Sequence, residues 1–167
     1  QAIAEGWLKA TGIFGIFPAN GIGDDTEVYR DETRTEVVAT LRHLRQQGEH
    51  REGVPNKTLG DYIAPKDSGL ADHIGAFVVS TGAGVDELSA KYEADNDDYR
   101  SIMVKALADR LAEACAEYLH HRVRTELWGY ERQHFSTEEL LRERFQGIRP
   151  APGYPACPDH TEKGTLF

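Results

Sequence analysis

The sequence predicts an α+β fold: a single domain with a mixed or largely antiparallel twisted sheet braced by long helices. Two short β-rich runs, residues 12–17 and 27–29, flank a polar turn and read as a hairpin. Residues 73–80, His-Ile-Gly-Ala-Phe-Val-Val-Ser, form the clearest strand and are placed at the centre of the sheet. From residue 97 to about residue 127, apolar positions recur at three- and four-residue spacings, which predicts one long helix packed against that sheet.

The chain has 167 residues, enough for one hydrophobic core. No apolar run approaches the ~20 residues of a membrane span, and the amphipathic start at residues 2–10 lacks the basic and apolar regions of a signal peptide. The net charge of -9 argues against a nucleic-acid surface and suits a cationic ligand better. Cys115 and Cys157 make no disulfide framework, so the cytoplasm is the simpler assignment. The sequence begins at Gln1 and stops at Phe167 as an apolar pattern resumes, which predicts a fragment shortened at both ends.

Residues 1–9 read as a helix, followed by a buried strand ended by Pro18. Asn20-Gly21-Ile22-Gly23-Asp24-Asp25 predicts an irregular hairpin loop, in which the two aspartates serve either turn chemistry or a functional carboxylate. Residues 33–47 carry Val37, Val38, Leu41 and Leu44 at helical spacing, with Gly48 placed to end a helix. Residues 48–56 are polar and read as a loop, and Leu59, Tyr62 and Ile63 anchor the chain again.

After the strand at residues 73–80, Thr81-Gly82-Ala83-Gly84 lacks the Gly-Lys-Ser/Thr ending of a phosphate loop and reads as a turn into a short helix with Val85, Leu88 and Tyr92. Asp97 or Asp98 caps the long helix, whose core face is predicted at Ile102, Leu107, Leu111, Ala114, Cys115, Tyr118 and Leu119. Ser136-Thr137-Glu138-Glu139 is a capping box for a last helix with Leu140, Leu141 and Phe145, stopped at Gly147.

That helix delivers the chain into residues 149–163, Arg-Pro-Ala-Pro-Gly-Tyr-Pro-Ala-Cys-Pro-Asp-His-Thr-Glu-Lys, where four of the seven prolines fall within nine positions. Proline fixes φ and disfavours the helical region for the preceding residue, so the strip is predicted to be extended, near polyproline II, with its backbone unpaired within itself. Arg149 brings a planar fork suited to a carboxylate or phosphate, Gly153 admits close approach to the backbone, and Tyr154 offers an aromatic face with a hydroxyl. The plain alternative is a proline-rich surface connection.

Metal chemistry finds little support. Glu117 and His120 have Glu-x-x-His spacing, but a carboxylate-bridged dimetal site needs a second copy, so a surface pair is expected. Cys157 and His160 supply only two of the four ligands of a structural zinc. Neither a nucleophile-elbow pattern nor a Gly-x-Gly-x-x-Gly is present, which leaves hydrolase and dehydrogenase readings unsupported.

The strip from Arg149 to Lys163 resembles the signature of the activation domain of cobalamin-dependent methionine synthase. Pro18-Ala19-Asn20 with Gly23-Asp24-Asp25, residues 29–34 (Tyr-Arg-Asp-Glu-Thr-Arg), residues 102–114 and Trp128-Gly129-Tyr130 resemble the same family in the same order, with looser agreement at residues 49–58 and 81–95.

The resemblance implies a methyltransferase module of methionine biosynthesis that binds S-adenosylmethionine and presents its methyl group for reductive remethylation of inactive cob(II)alamin to methylcobalamin. It implies that Arg149 grips the ligand carboxylate, that Ala151 contacts the adenosyl part through its backbone, and that Tyr154 lies beside the ligand. Glu113 and Glu143 match acidic positions that face the sulfonium, and His160 falls at the cobalamin-facing mouth. The implied partners are the cobalamin-binding domain of the same enzyme, which holds the cobalamin, and a flavodoxin-type or flavoprotein reductant. No bound metal is implied. An acidic docking module that binds no small molecule by itself is the alternative from another class.

Overall fold

The computed structural model describes residues 6–167. Four strands, β1 (Thr11–Ile22), β2 (Asp25–Tyr29), β3 (Val37–Leu41) and β4 (Asp72–Ser80), form one sheet in the order β3-β2-β1-β4. β1 with β2 and β2 with β3 are antiparallel, and the bond from Thr11 Oγ1 to the Ser80 carbonyl at 3.4 Å shows the same sense for β1 and β4. The helices are α1 (Val85–Ala94), α2 (Asp98–Arg122), α3 (Thr137–Leu141) and α4 (Lys163–Leu166). This is the predicted α+β domain. Its residues cluster into two compact units, Gln1–Phe14 with Phe77–His134, and Gly15–Ala76 with Phe135–Phe167.

Several elements differ from expectation. Of the helix predicted at residues 1–9, residues 1–5 lie outside the described part; Gly6 is in a turn, and residues 7–10 are irregular. β1 runs on through Pro18, because its ladder with β2 begins only at Ala19 and needs no amide from the proline. Ile22 pairs with Asp25, so the hairpin turn is just Gly23-Asp24 rather than a roomy loop, with Gly23 at φ +66° where two-residue hairpins favour glycine. The predicted helix over residues 33–47 is absent. Val37, Val38 and Thr40 instead build edge strand β3, whose β-branched side chains suit a pleated surface. β4 is the other edge and not the centre.

In the second unit, the buried polar residue Asn20 organises the loops around the sheet. Its Nδ2 donates to the carbonyls of Ala64 (3.0 Å) and Leu70 (2.8 Å), and its Oδ1 accepts from Arg34 Nη1 at 3.0 Å. Arg34, at φ 55°, also donates to the carbonyls of Ala19 and Asp72. The hairpin's acidic residues are likewise structural: Asp24 and Asp61 both bind Arg45, while Asp25 binds Arg42 at 2.6 Å. The Arg45 hydrogen bond holds the carboxyls of Asp24 and Asp61 below the usual range. Bonds from the Gln46 amide to the Lys57 carbonyl and from the Lys57 amide to Gln46 Oε1 close the base of the predicted 48–56 loop.

In the first unit, α1 packs on α2 through Val85, Val104 and Ala108, joined by Leu8, Leu88 and Tyr92. Asp97 is the cap of α2, accepting from the Arg100 amide. The core face of α2 differs from the predicted one: Ser101, Val104, Ala108 and His120 are buried, whereas Ile102, Leu107, Ala114 and Tyr118 are exposed. Small residues let the two helices approach, and the buried hydroxyls pair with each other, Ser89 Oγ lying 2.7 Å from Ser101 Oγ. α2 ends in a π turn, Val123–Leu127, where the Trp128 amide reaches back to the Val123 carbonyl at 2.9 Å. This turn carries Arg124, only 1% exposed, whose Nε donates to Glu131 at 2.7 Å and whose Nη1 meets His120 Nδ1 at 2.7 Å. His120 is therefore a buried partner of Arg124, where a surface position was expected. Among the described residues no helix is long and apolar enough to cross a membrane.

Removing the Asn20 amide leaves the Leu70 carbonyl and the Arg34 contact unanswered, whereas the Ala64 carbonyl keeps the Gly21 amide. Asn20→Ala is expected to destabilise the fold by about 1–3 kcal/mol in urea unfolding, the usual cost of leaving such a group unpaired. A loss within ~0.5 kcal/mol, the range of ordinary surface substitutions, would refute a central role for this amide.

Candidate functional site

The proline strip belongs to the second unit and is introduced by α3, whose capping box forms as predicted. Ser136 Oγ accepts from the Glu139 amide, while Glu139 Oε2 accepts from the Ser136 amide at 2.9 Å. The helix is short, ending at Arg142 and not near Gly147. Glu143 then adopts φ 50°, a left-handed conformation that side chains rarely take, and Gly147 follows at φ 90°.

From Arg149 onward the chain is not helical, as the prolines require, but neither is it an extended strip with a free backbone. The Tyr154 amide donates to the Ala151 carbonyl (3.1 Å), the Gly153 amide to Cys157 (2.8 Å), and the Cys157 amide to Tyr154 (2.8 Å), closing a tight double turn. Three of the amides expected to be open are thus used internally. The close approach expected at Gly153 is also real but internal. Gly153 sits at φ +103°, and a Cβ there would lie 2.5 Å from the His160 ring, so the imidazole covers this glycine.

The turn is anchored on its inner side. Cys157 is buried, and burial pushes its thiol above the usual range, with the charges of Glu162 and Asp159 adding to the effect. Asp159 accepts from the Thr161 amide at 2.8 Å and from its hydroxyl, which hold its carboxyl below the usual range. Glu162, 7% exposed, accepts the Arg42 amide at 2.8 Å, just beyond β3. Beside Arg42, buried His43 contacts Thr26 Oγ1 through Nε2 at 3.0 Å, and burial pushes its pKa below the ordinary value against the opposing charges of Glu162 and Asp25.

Of the predicted site residues, Ala151 and Tyr154 fall on this turn and Arg149 lies two residues before it. Arg149 is half-buried, Ala151 exposed and Tyr154 62% exposed. Glu143 lies exposed on the approach to it. Glu113 belongs to the first unit, exposed on α2. Trp128 and Tyr130, from another motif in that unit, pack edge to face with centroids 5.4 Å apart. Among the described residues no group of three or more His, Cys, Asp and Glu could hold a metal ion.

His43, Thr26 and Glu162 went unnoticed in the sequence. His43 stood inside a segment read as helix, and its partner Thr26 lies 17 positions away in the chain. The only available signal was Glu162 inside the proline motif.

Comparison with known proteins agrees with this architecture. The family model described as "Vitamin B12 dependent methionine synthase, activation domain" matches residues 1–167. A crystal structure of a MetH reactivation domain bound to AdoHcy superposes with a TM-score of 0.91 at 60% sequence identity, covering 99% of this chain and 51% of that one. The chain therefore spans about half the length of that structure. A full-length family match, joined to a close structural likeness at high identity, shows that the chain belongs to the activation-domain family of vitamin B12-dependent methionine synthase.

Proposed function

We propose that this domain binds S-adenosylmethionine at the turn carrying Ala151 and Tyr154 and at Arg149 just before it, and serves as the reactivation module of a methyltransferase that makes methionine. The observation carrying the proposal is the 60% identical domain bound to AdoHcy, the demethylated form of that ligand, together with the turn that brings Ala151 and Tyr154 together. Arg149 supplies a planar two-point grip for the amino-acid carboxylate. Ala151 offers its backbone to the adenosyl part, and Tyr154 presents an exposed aromatic face beside it.

A sulfonium is cationic yet has no proton to donate, so carboxylates favour it by Coulomb attraction alone. Glu143 and Glu113 are assigned this role. For Glu143 the left-handed backbone adds support, because such strain concentrates at ligand sites. For Glu113 the support is the family resemblance and its exposure on α2.

The substrates are then S-adenosylmethionine and the inactive cob(II)alamin held by a neighbouring domain of the same enzyme. Cobalamin, held by the neighbouring domain and reduced by one electron from a flavodoxin-type or flavoprotein donor, would supply the methyl-accepting chemistry, and S-adenosylhomocysteine, whose sulfur keeps the electron pair of the broken carbon–sulfur bond, would be left on this domain. The domain contributes alignment and electrostatics to a step whose chemistry the cobalamin carries.

Four substitutions at three positions test the site by calorimetry. Arg149→Ala should weaken S-adenosylmethionine by about one to two orders of magnitude, the worth of hydrogen bonds to a charged group, and Arg149→Lys should recover only part. A large fall in ligand-free melting temperature with unchanged affinity would instead make Arg149 a strut. Glu113→Gln should weaken S-adenosylmethionine more than S-adenosylhomocysteine, because only the former is cationic; equal losses remove that role. Gly153→Ala touches no proposed ligand atom but drives a methyl into the His160 ring, so it should lower affinity by reshaping the turn. Wild-type affinity in that variant would show that the turn's shape is unimportant.

A further inference from the structure

Behind the ligand turn, the second unit buries a carboxylate that ligand recognition does not use. We propose that Glu162 is a positioning residue for the ligand, its hydrogen bond to the Arg42 amide tying the C-terminal limb of the Ala151–Tyr154 turn to the sheet and keeping that turn in its binding shape. The role rests on the reading of that turn as the ligand site.

Glu162 is 7% exposed, and its two oxygens are unequally served. Oε1 accepts the Arg42 amide at 2.8 Å, whereas Oε2 is buried without a hydrogen-bond partner among the described residues. Burying a carboxylate oxygen unanswered works against stability. A group kept at such a cost points to the geometry it fixes, and here that geometry is one bond joining residues 120 positions apart.

The donor is a fixed point. Arg42 follows Leu41, which ends β3 in register with Thr26 of β2, and both residues of that last rung are buried. The Arg42 guanidinium is itself held on Asp25 at 2.6 Å. The amide therefore leaves the sheet in a direction set by the ladder, independent of the C-terminal segment.

On the other side, Glu162 is a joint of that segment. Its backbone carbonyl accepts the Thr165 and Leu166 amides at 3.0 and 3.1 Å, which starts α4. Two residues back, the His160 ring covers Gly153, and the bonds from Thr161 to Asp159 fix the chain in between. The Cys157 carbonyl holds the Gly153 amide at 2.8 Å. A shift at Glu162 is thus passed through His160 to Gly153, which stands between Ala151 and Tyr154 in the chain.

Acceptor, charge and reach are separable at this position. Glu162→Gln keeps a side-chain carbonyl oxygen at the same reach and loses the charge. Glu162→Asp keeps the charge but draws the oxygens back by about one carbon–carbon bond, out of hydrogen-bond range of the amide. Glu162→Ala removes both. Positioning through the Arg42 amide requires that glutamine can stand in and that aspartate cannot.

Calorimetry with S-adenosylhomocysteine and amide hydrogen exchange, on the wild type and these three variants, test the proposal. Glu162→Ala and Glu162→Asp should bind about tenfold more weakly, the scale of one hydrogen bond to a charged group, while Glu162→Gln stays within about threefold of the wild type. Exchange of the Gly153, Tyr154 and Cys157 amides should rise about tenfold in the alanine and aspartate variants, with the Gly21 amide of β1 unchanged. Should Glu162→Ala not fold, the comparison of aspartate with glutamine decides by itself. Wild-type affinity in Glu162→Asp, or a loss in Glu162→Gln as large as in Glu162→Asp, overturns the role. An equal rise in exchange at Gly21 makes Glu162 a brace for the whole unit and overturns it as well. If the wild type itself does not bind S-adenosylhomocysteine, the reading of the ligand site fails and the positioning role with it, whereas normal wild-type binding with unaffected variants removes the positioning role alone.

Discussion

The second unit depends on one buried amide. Asn20, at the middle of the β1 pairing region, is 4% exposed and ties four segments together: the chain at Ala64, the chain at Leu70, the β2–β3 connection through Arg34, and the start of β4 through that arginine's bond to Asp72. A buried carbonyl without a donor is costly, so these loops have one low-energy arrangement around the hairpin. The Arg34 backbone is left-handed, and its three side-chain bonds to Ala19, Asn20 and Asp72 offset that strain. Two of the motifs that suggested the family, at residues 18–25 and 29–34, thus have scaffold roles here.

What could be read from the sequence was what local chemistry decides. The caps at Asp97 and Ser136 are satisfied by atoms two or three residues away, and both helices start where their cap residues place them. β3 was misread because Val37, Val38, Leu41 and Leu44 fit a helical spacing as well as a short strand, and the choice was made by pairing with β2. The face of α2 was misread for a related reason. Its packing surface against α1 is made of small residues and paired hydroxyls, whereas Ile102 and Tyr118, which periodicity favours, point to solvent. Hydrophobicity alone does not register close packing between small side chains.

The candidate site divides in the same way. The prolines announced a non-helical strip, and Ala151 and Tyr154 lie on one turn with Arg149 two residues before it. They did not announce its internal bonds, because glycine at φ +103° allows the chain to reverse where proline alone suggests extension. Nor could the sequence show that His43 and Glu162 belong under that turn. Contacts between residues so far apart exist only once β3 and the C-terminal segment have packed.

An open turn over a fixed base also fits the proposed chemistry. Ala151 and Tyr154 are exposed, so a ligand held there would keep one side available to a second reactant, as methyl transfer to a large corrin requires. Precision must then come from below, since a flexible platform would spend binding energy on ordering itself. The His160 ring over Gly153, the buried Cys157 and the Glu162 carboxylate on the Arg42 amide provide that base without occupying the outer face. Under the proposed function, exposed recognition groups and a buried base would be complementary demands of one reaction, met in one short segment that carries both the exposed Tyr154 and the buried Glu162.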